Sequence, residues 1–216
     1  DYLEIQGGGK LGITYDRTGN LNLYGTYQVR DGFYQMTFYN IVKRKFNFQE
    51  GSRLTWNGDP MDADIDITAL YKTNVNVATL MSSQSGVKSN EAFSQKLPFE
   101  VVMHISGELM KPELQFSIQL AKESKGALGG AVDARLNEIA SDESELNKQV
   151  FALLVLNTFI STESSGDNNF IANQARNSAS QILSQQLNAL SDKLITGVDL
   201  NFDLESYELG GQGTTD

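Results

Sequence analysis

The 216-residue chain has no cysteine, one histidine, one tryptophan and three prolines. Without cysteine it forms neither disulfides nor thiolate metal sites, a composition compatible with the cell envelope. A Ser–His–Asp arrangement would have to use His104, which stands mid-strand among apolar neighbours with no nucleophile signature nearby. Positive charge is also short: 17 Lys and Arg face 27 Asp and Glu, a net charge of -10. Nucleic-acid binding needs a basic surface that displaces counterions, so that class is excluded. The one concentrated basic cluster, Lys43-Arg44-Lys45, reads as a solvated strand end, with anionic lipid headgroups as the alternative contact. Long apolar runs are missing too. The longest, Val150 to Leu156, falls well short of the roughly 18 residues a membrane helix requires. Asp1-Tyr2-Leu3-Glu4 has neither the basic nor the apolar region of a signal peptide. The chain starts without Met and ends in a Gly- and Thr-rich stretch, so it is expected to be a fragment of something longer.

What the sequence has in abundance is two-residue periodicity. From Gly19 to Tyr71, apolar and polar residues alternate between short Gly-, Asn- and Asp-containing breaks. Leu21, Leu23, Tyr27 and Val29 are one such set, and Ala63, Ile65, Ile67 and Ala69 alternate with Asp62, Asp64, Asp66 and Thr68. That pattern marks antiparallel strands with one buried and one wet face. Turns are expected at Asp16–Asn20, Arg30–Gly32, Gln49–Ser52 and Asn57–Pro60, and Gly7–Lys10 is expected to open the first hairpin. Met81 to Lys96 reads as a long loop. A second hairpin follows, with Phe99, Val101, Met103 and Ile105 on one strand and Leu114, Phe116, Ile118 and Leu120 on the other. Lys122 to Gly130 reads as a linker. Helical spacing then runs over Val132–Ile139 and Glu143–Ile160, and a long amphipathic helix over Phe170–Leu194. Gly197 ends it, and a last strand begins at Val198. The fold class is mainly β: a curled antiparallel sheet of half-pipe form over residues 1–121, a helical segment over 122–197, and a final strand with its tail over 198–216.

Chemistry has little to build on. Gly7-Gly8-Gly9-Lys10 is followed by strand rather than helix and lacks the full phosphate-loop spacing. Asp62, Asp64 and Asp66 lie about 7 Å apart along one strand, fit at best for a weak Ca²⁺ site and more simply a solvated acidic face. No catalytic residue, cofactor or metal is expected. Apolar area is the real resource. Leu21, Leu23, Val29, Phe46, Phe48, Leu54, Trp56, Ile65, Ile67, Phe99, Val101, Met103, Ile105, Leu114, Phe116 and Ile118 fall on one face, and at roughly 25 cal/mol per Å² that face must be covered. A closed core and an open groove filled by acyl chains fit the pattern equally.

The stretch from Gly25 to Ala69 also resembles a known family. Gly25, Tyr27, Gly32, Tyr34, Phe46, Gly51, Trp56, Gly58, Pro60, Asp62, Ala63, Asp66, Ile67 and Ala69 carry a pattern similar to the C-terminal domain of TamB, the large subunit of the translocation and assembly module of Gram-negative envelopes. The likeness continues through Gly107–Leu114 and Leu153–Asn157. TamB-like and AsmA-like proteins are understood as rolled β-sheet grooves spanning the periplasm from an inner-membrane helix. They are implicated in moving phospholipids toward the outer membrane and, with the barrel TamA, in assembling outer-membrane proteins. The resemblance therefore implies a periplasmic, non-enzymatic chain at the outer-membrane end. Acyl chains and a barrel of the TamA or BamA type are its implied partners, the inner-membrane anchor lies in the missing N-terminal part, and the residues named above line a groove. The chain is expected to lack that anchor and most of the groove, and to stop before the family domain would finish. Two other readings stand beside this one: a structural module that docks a partner by sheet-edge pairing, and a hydrolase built on His104.

Overall fold

The computed structural model describes residues 2–38, 42–82 and 91–161. The amphipathic helix expected over Phe170–Leu194 and the strand expected from Val198 lie outside the described residues, as does part of the Met81–Lys96 loop.

Seven strands form one antiparallel sheet: β1 (Tyr2–Tyr15), β2 (Leu21–Phe38), β3 (Val42–Phe48), β4 (Arg53–Gly58), β5 (Ala63–Asn76), β6 (Lys96–Glu108) and β7 (Lys111–Leu120). Each strand lies beside its predecessor or, for β3 and β4, in line with it, so the sheet is a meander and does not close into a barrel. Alternation places one set of side chains inward. On β5 Ala63, Ile65, Ile67 and Ala69 are buried, while Asp64, Asp66 and Thr68 face out.

One of the expected turns is not a turn. Arg30–Gly32 lies inside an 18-residue strand. Gln6 of β1 pairs Asp31 and Gly7 pairs Val29, so Arg30 is an extra residue on β2. An inserted residue reverses which alternate side chains point inward. Accordingly Leu23 and Val29 are buried before the bulge, and Tyr34, Met36 and Phe38 after it. Gly32 belongs here for close approach: its φ is +139°, and a Cβ there would lie 2.3 Å from the Glu4 carbonyl oxygen of β1. Gly7–Lys10 likewise opens no hairpin. It sits within the 14-residue β1, where a Cβ on Gly7 would lie 2.1 Å from the Gln28 carbonyl oxygen.

Gln49–Ser52 is a turn, closed by the Ser52 N–H donating to the Gln49 carbonyl at 3.3 Å, but the strand direction is not reversed across it. β3 pairs the second half of β2 (Phe33 with Asn47) and β4 the first half (Leu23 with Gly58), both antiparallel and in the same direction. They are one strand broken by a loop, which Ser52 closes. Its hydroxyl donates to the Gln49 carbonyl at 2.8 Å and accepts the Thr68 N–H at 3.1 Å, filling a gap in the ladder toward β5. Ser52 is only 4 % exposed.

Past β7 the linker region folds as two short 3-10 turns, Lys122–Ser124 and Ala127–Gly130. A 3-10 turn at Glu91–Ser94 and helices α1 (Ala78–Ser82), α2 (Ala131–Ala140) and α3 (Glu143–Leu156) complete the described chain. Asp142 caps α3 by accepting the N–H groups of Ser144 and Glu145, satisfying donors that a helix start leaves open. The α2–α3 pair packs against β7. Val132, Leu136, Ile139, Leu146, Val150, Leu153 and Leu154 join the inward sheet residues in one apolar core.

Candidate functional site

The inner face of the sheet is the feature around which the chemistry of the chain is arranged. Inward residues meet across strands: Ile67 opposes Ile105, Ala69 opposes Met103, and Met103 opposes Phe116. Leu23, Val29, Phe46, Phe48, Leu54, Trp56, Ile65, Ile67, Val101, Met103, Ile105 and Ile118 are all buried in the single core cluster. Leu114 and Phe116 are half-buried, because β7 is the last strand of the described sheet. Leu21 lies at the hairpin end and is 39 % exposed. Trp56 anchors the neighbouring turn by donating its indole N–H to the Pro60 carbonyl at 3.0 Å.

Several inner-face residues escaped the sequence reading. Tyr34, Met36 and Phe38 are fully buried, but a turn assumed at Arg30–Gly32 concealed their place. Their alternation with Gln35 and Thr37 was the available signal. Burial pushes the Tyr34 phenol above its usual range. Tyr71 continues the face, its ring centroid 5.9 Å from that of Phe46.

At one end the helical layer lies on this face. Arg44, half-buried, donates Nε–H to the Leu154 carbonyl at 2.6 Å and stands 5.5 Å from the Tyr71 ring centroid. The last carbonyls of a helix lack intrahelical donors and carry partial negative charge, so a guanidinium there satisfies both. The basic cluster is therefore not a uniformly solvated strand end. Lys43 and Lys45 are exposed, whereas Arg44 is turned to α3. Beyond α3 the chain reverses at Asn157, in the left-handed conformation at φ 56°. The Thr73 hydroxyl donates to the Asn157 side-chain oxygen, and Phe159 stacks edge-on against Phe99 with centroids 4.9 Å apart. Gln149 fixes the return, donating to the Ile160 carbonyl at 2.7 Å and accepting its N–H at 3.0 Å.

The outer face is polar. Asp66 accepts from Arg53 at 2.6 Å and from His104 at 3.0 Å. The His104 hydrogen bond, and then the Arg53 charge, hold its carboxyl below the usual range. His104 thus belongs to a surface ion cluster. Among the described residues no group of three or more His, Cys, Asp or Glu side chains is placed to hold a metal ion. In the β1–β2 turn Asp16 accepts from Thr18 and Asn20, which lowers its pKa to about 2.

No helix among the described residues is long and apolar enough to cross a membrane. No curated protein and no solved structure matches the chain significantly. A family model for the TamB C-terminal domain matches residues 1–216, the whole chain, in agreement with the strand-and-turn pattern from Gly25 to Ala69. On that match, and with a mainly β, open antiparallel sheet carrying its helices late, the chain belongs to the TamB C-terminal domain family.

Proposed function

We propose that this chain is the C-terminal part of a periplasmic TamB-like protein whose apolar inner face holds phospholipid acyl chains on their way to the outer membrane. In this reading it also serves outer-membrane protein assembly with a barrel of the TamA or BamA type, and the N-terminal remainder carries the inner-membrane anchor. The role is conduction or chaperoning, with no chemical step. One observation carries the reading: a continuous apolar face on an open sheet, running from Leu23 and Trp56 through Ile65 and Ile105 to Phe116. Apart from the half-buried Phe116 these side chains are already out of water in the folded chain, and a lining of this chemistry is well matched to hydrocarbon. Family membership supports the envelope location and the outer-membrane partner.

A second reading is favoured by β1, which within the described residues pairs only with β2 and presents its other edge. An open edge of this kind accepts a partner strand, and docking by sheet-edge pairing would need no lipid.

Native mass spectrometry with lipid extraction, on protein purified from an envelope-containing host, tests the first reading. Stoichiometric phospholipid is expected. It should be lost in Phe116→Asp, a half-buried position where the charge reaches the face without entering the centre of the core. A lipid-free, cooperatively folded wild type would leave the edge-docking reading.

A further inference from the structure

The apolar side chains that stay in water are gathered at one end of the sheet. Register places three turns side by side there. Tyr15 pairs Leu21 across the β1–β2 turn, Leu23 pairs Gly58 beside the β4–β5 turn, and Asp64 pairs Glu108 beside the β6–β7 turn. Among the described residues seven large apolar or aromatic side chains are exposed. Six of them, Ile13, Tyr15, Leu21, Tyr24, Met61 and Met110, lie on or next to these turns. The seventh, Tyr2, is at the far end of β1. That far end is also where β5 leads into α1 and β7 into the turns before α2.

The exposed set is continuous with the inner face. Ile13 opposes Leu23 and Tyr15 opposes Leu21, and directly opposed residues share a face. Exposure along this row rises from buried Leu23 through Leu21 to Tyr15, which is 74 % exposed. Met110 follows directly on buried Leu109, and Met61 follows Pro60, whose carbonyl holds the Trp56 indole. Single apolar residues on a surface need no partner. A row of tips that each lead into the inner face is a different case.

The chemistry of the tips selects a bilayer as that partner. A tyrosine ring rests at headgroup depth with its hydroxyl in water, and methionine is flexible enough to adapt to a fluid surface. Separate tips can enter a bilayer together without matching its contour. The same turns carry Asp16, Asp59 and Asp62 against Arg17, so an anionic surface repels them where a zwitterionic one does not.

We propose that this end of the sheet is a mouth through which acyl chains pass between the inner face and a zwitterionic bilayer, seated by Tyr15, Leu21, Met61 and Met110 in the interfacial layer. The passage of acyl chains rests on the lipid-groove reading, whereas the seating does not require it.

The absence of cysteine allows single-site labelling. Met61→Cys, Met110→Cys and, at the far end of the sheet, Lys43→Cys would each carry an environment-sensitive fluorophore and be mixed with phosphatidylcholine vesicles. Emission is expected to rise at least twofold at positions 61 and 110 and to stay unchanged at 43. A variant combining Tyr15→Ser, Leu21→Ser, Met61→Ser and Met110→Ser changes only exposed side chains, and unchanged circular dichroism should show that its fold persists. Its uptake of acyl-labelled phosphatidylcholine from vesicles should fall at least tenfold, while uptake of the same lipid dispersed in detergent matches wild type. No emission change at 61 and 110, or equal uptake from vesicles by variant and wild type, overturns the mouth and leaves the groove intact. Emission that rises at 61 and 110 while wild type takes up lipid from neither source overturns the groove reading and keeps the bilayer contact alone.

Discussion

Asp66 accepts a hydrogen bond from His104 Nε2 at 3.0 Å across β5 and β6, and its second oxygen meets Arg53 of β4 at 2.6 Å. One carboxylate thus ties three strands together on the wet face. Because its folded pKa is lowered, its contribution to stability is present above the unfolded value of about 3.9 and is lost as pH falls through the folded value. The side chains are 38 % to 54 % exposed, so the worth of the cluster is at most about 1 kcal/mol. His104→Ala should move the Asp66 titration upward, read by carbon-detected NMR. It should also shrink the gap between urea midpoints at pH 6 and pH 3.

Ser52 makes a sharper case, because its hydroxyl is buried and used as both donor and acceptor. Ser52→Ala leaves the Thr68 N–H and the Gln49 carbonyl with one partner fewer. Chemical denaturation should show a loss of about 1–3 kcal/mol. Amide exchange should rise at Thr68 before it rises elsewhere in β5.

Gly32→Ala tests whether the bulge region seats β1. At φ +139°, with the Glu4 oxygen 2.3 Å from a new Cβ, the substitution forces strand from strand. Strain of about 1–3 kcal/mol is expected. Hydrogen exchange should accelerate at Tyr2–Gln6, while the β5–β6 pairing keeps its protection.

Arg135 predicts a change of the opposite sign. It is 9 % exposed, pairs Glu138 at 2.6 Å, and its Nε has no partner among the described residues. A buried guanidinium incompletely paired is no better than an apolar side chain of similar length. Arg135→Met should leave the melting temperature unchanged or raise it, whereas Arg135→Ala should lower it by opening a cavity.

The sequence disclosed the strands wherever alternation ran unbroken. Ala63–Ala69 and Phe99–Ile105 lie on the face their periodicity assigns. The expected helices over Val132–Ile139 and Glu143–Ile160 are found as Ala131–Ala140 and Glu143–Leu156. Misreadings came where glycine or a short polar group sat inside a strand. Arg30-Asp31-Gly32 and Gln49–Ser52 have the composition of turns, yet the chain passes through both without reversing. A bulge and a tight reverse turn both call on Gly and Asp. Only the pairing of distant strands separates them, and a single sequence does not carry that information. The same limit hid the role of Arg44, whose partner carbonyl lies 110 residues away. It also left open whether the apolar face meets protein or lipid, since both demand the same side chains.

The strand order has a consequence for how the chain acquires its shape. Every strand finds its neighbour within the adjoining stretch of chain, and no connection between described strands crosses over the sheet. The entropy of closing each loop is therefore small, and pairing can advance hairpin by hairpin, as in solenoids whose repeats touch only their neighbours. Such a sheet is built by accretion. A segment added at the β1 edge, or removed there, changes the length of the finished array without requiring the strands already paired to find new partners.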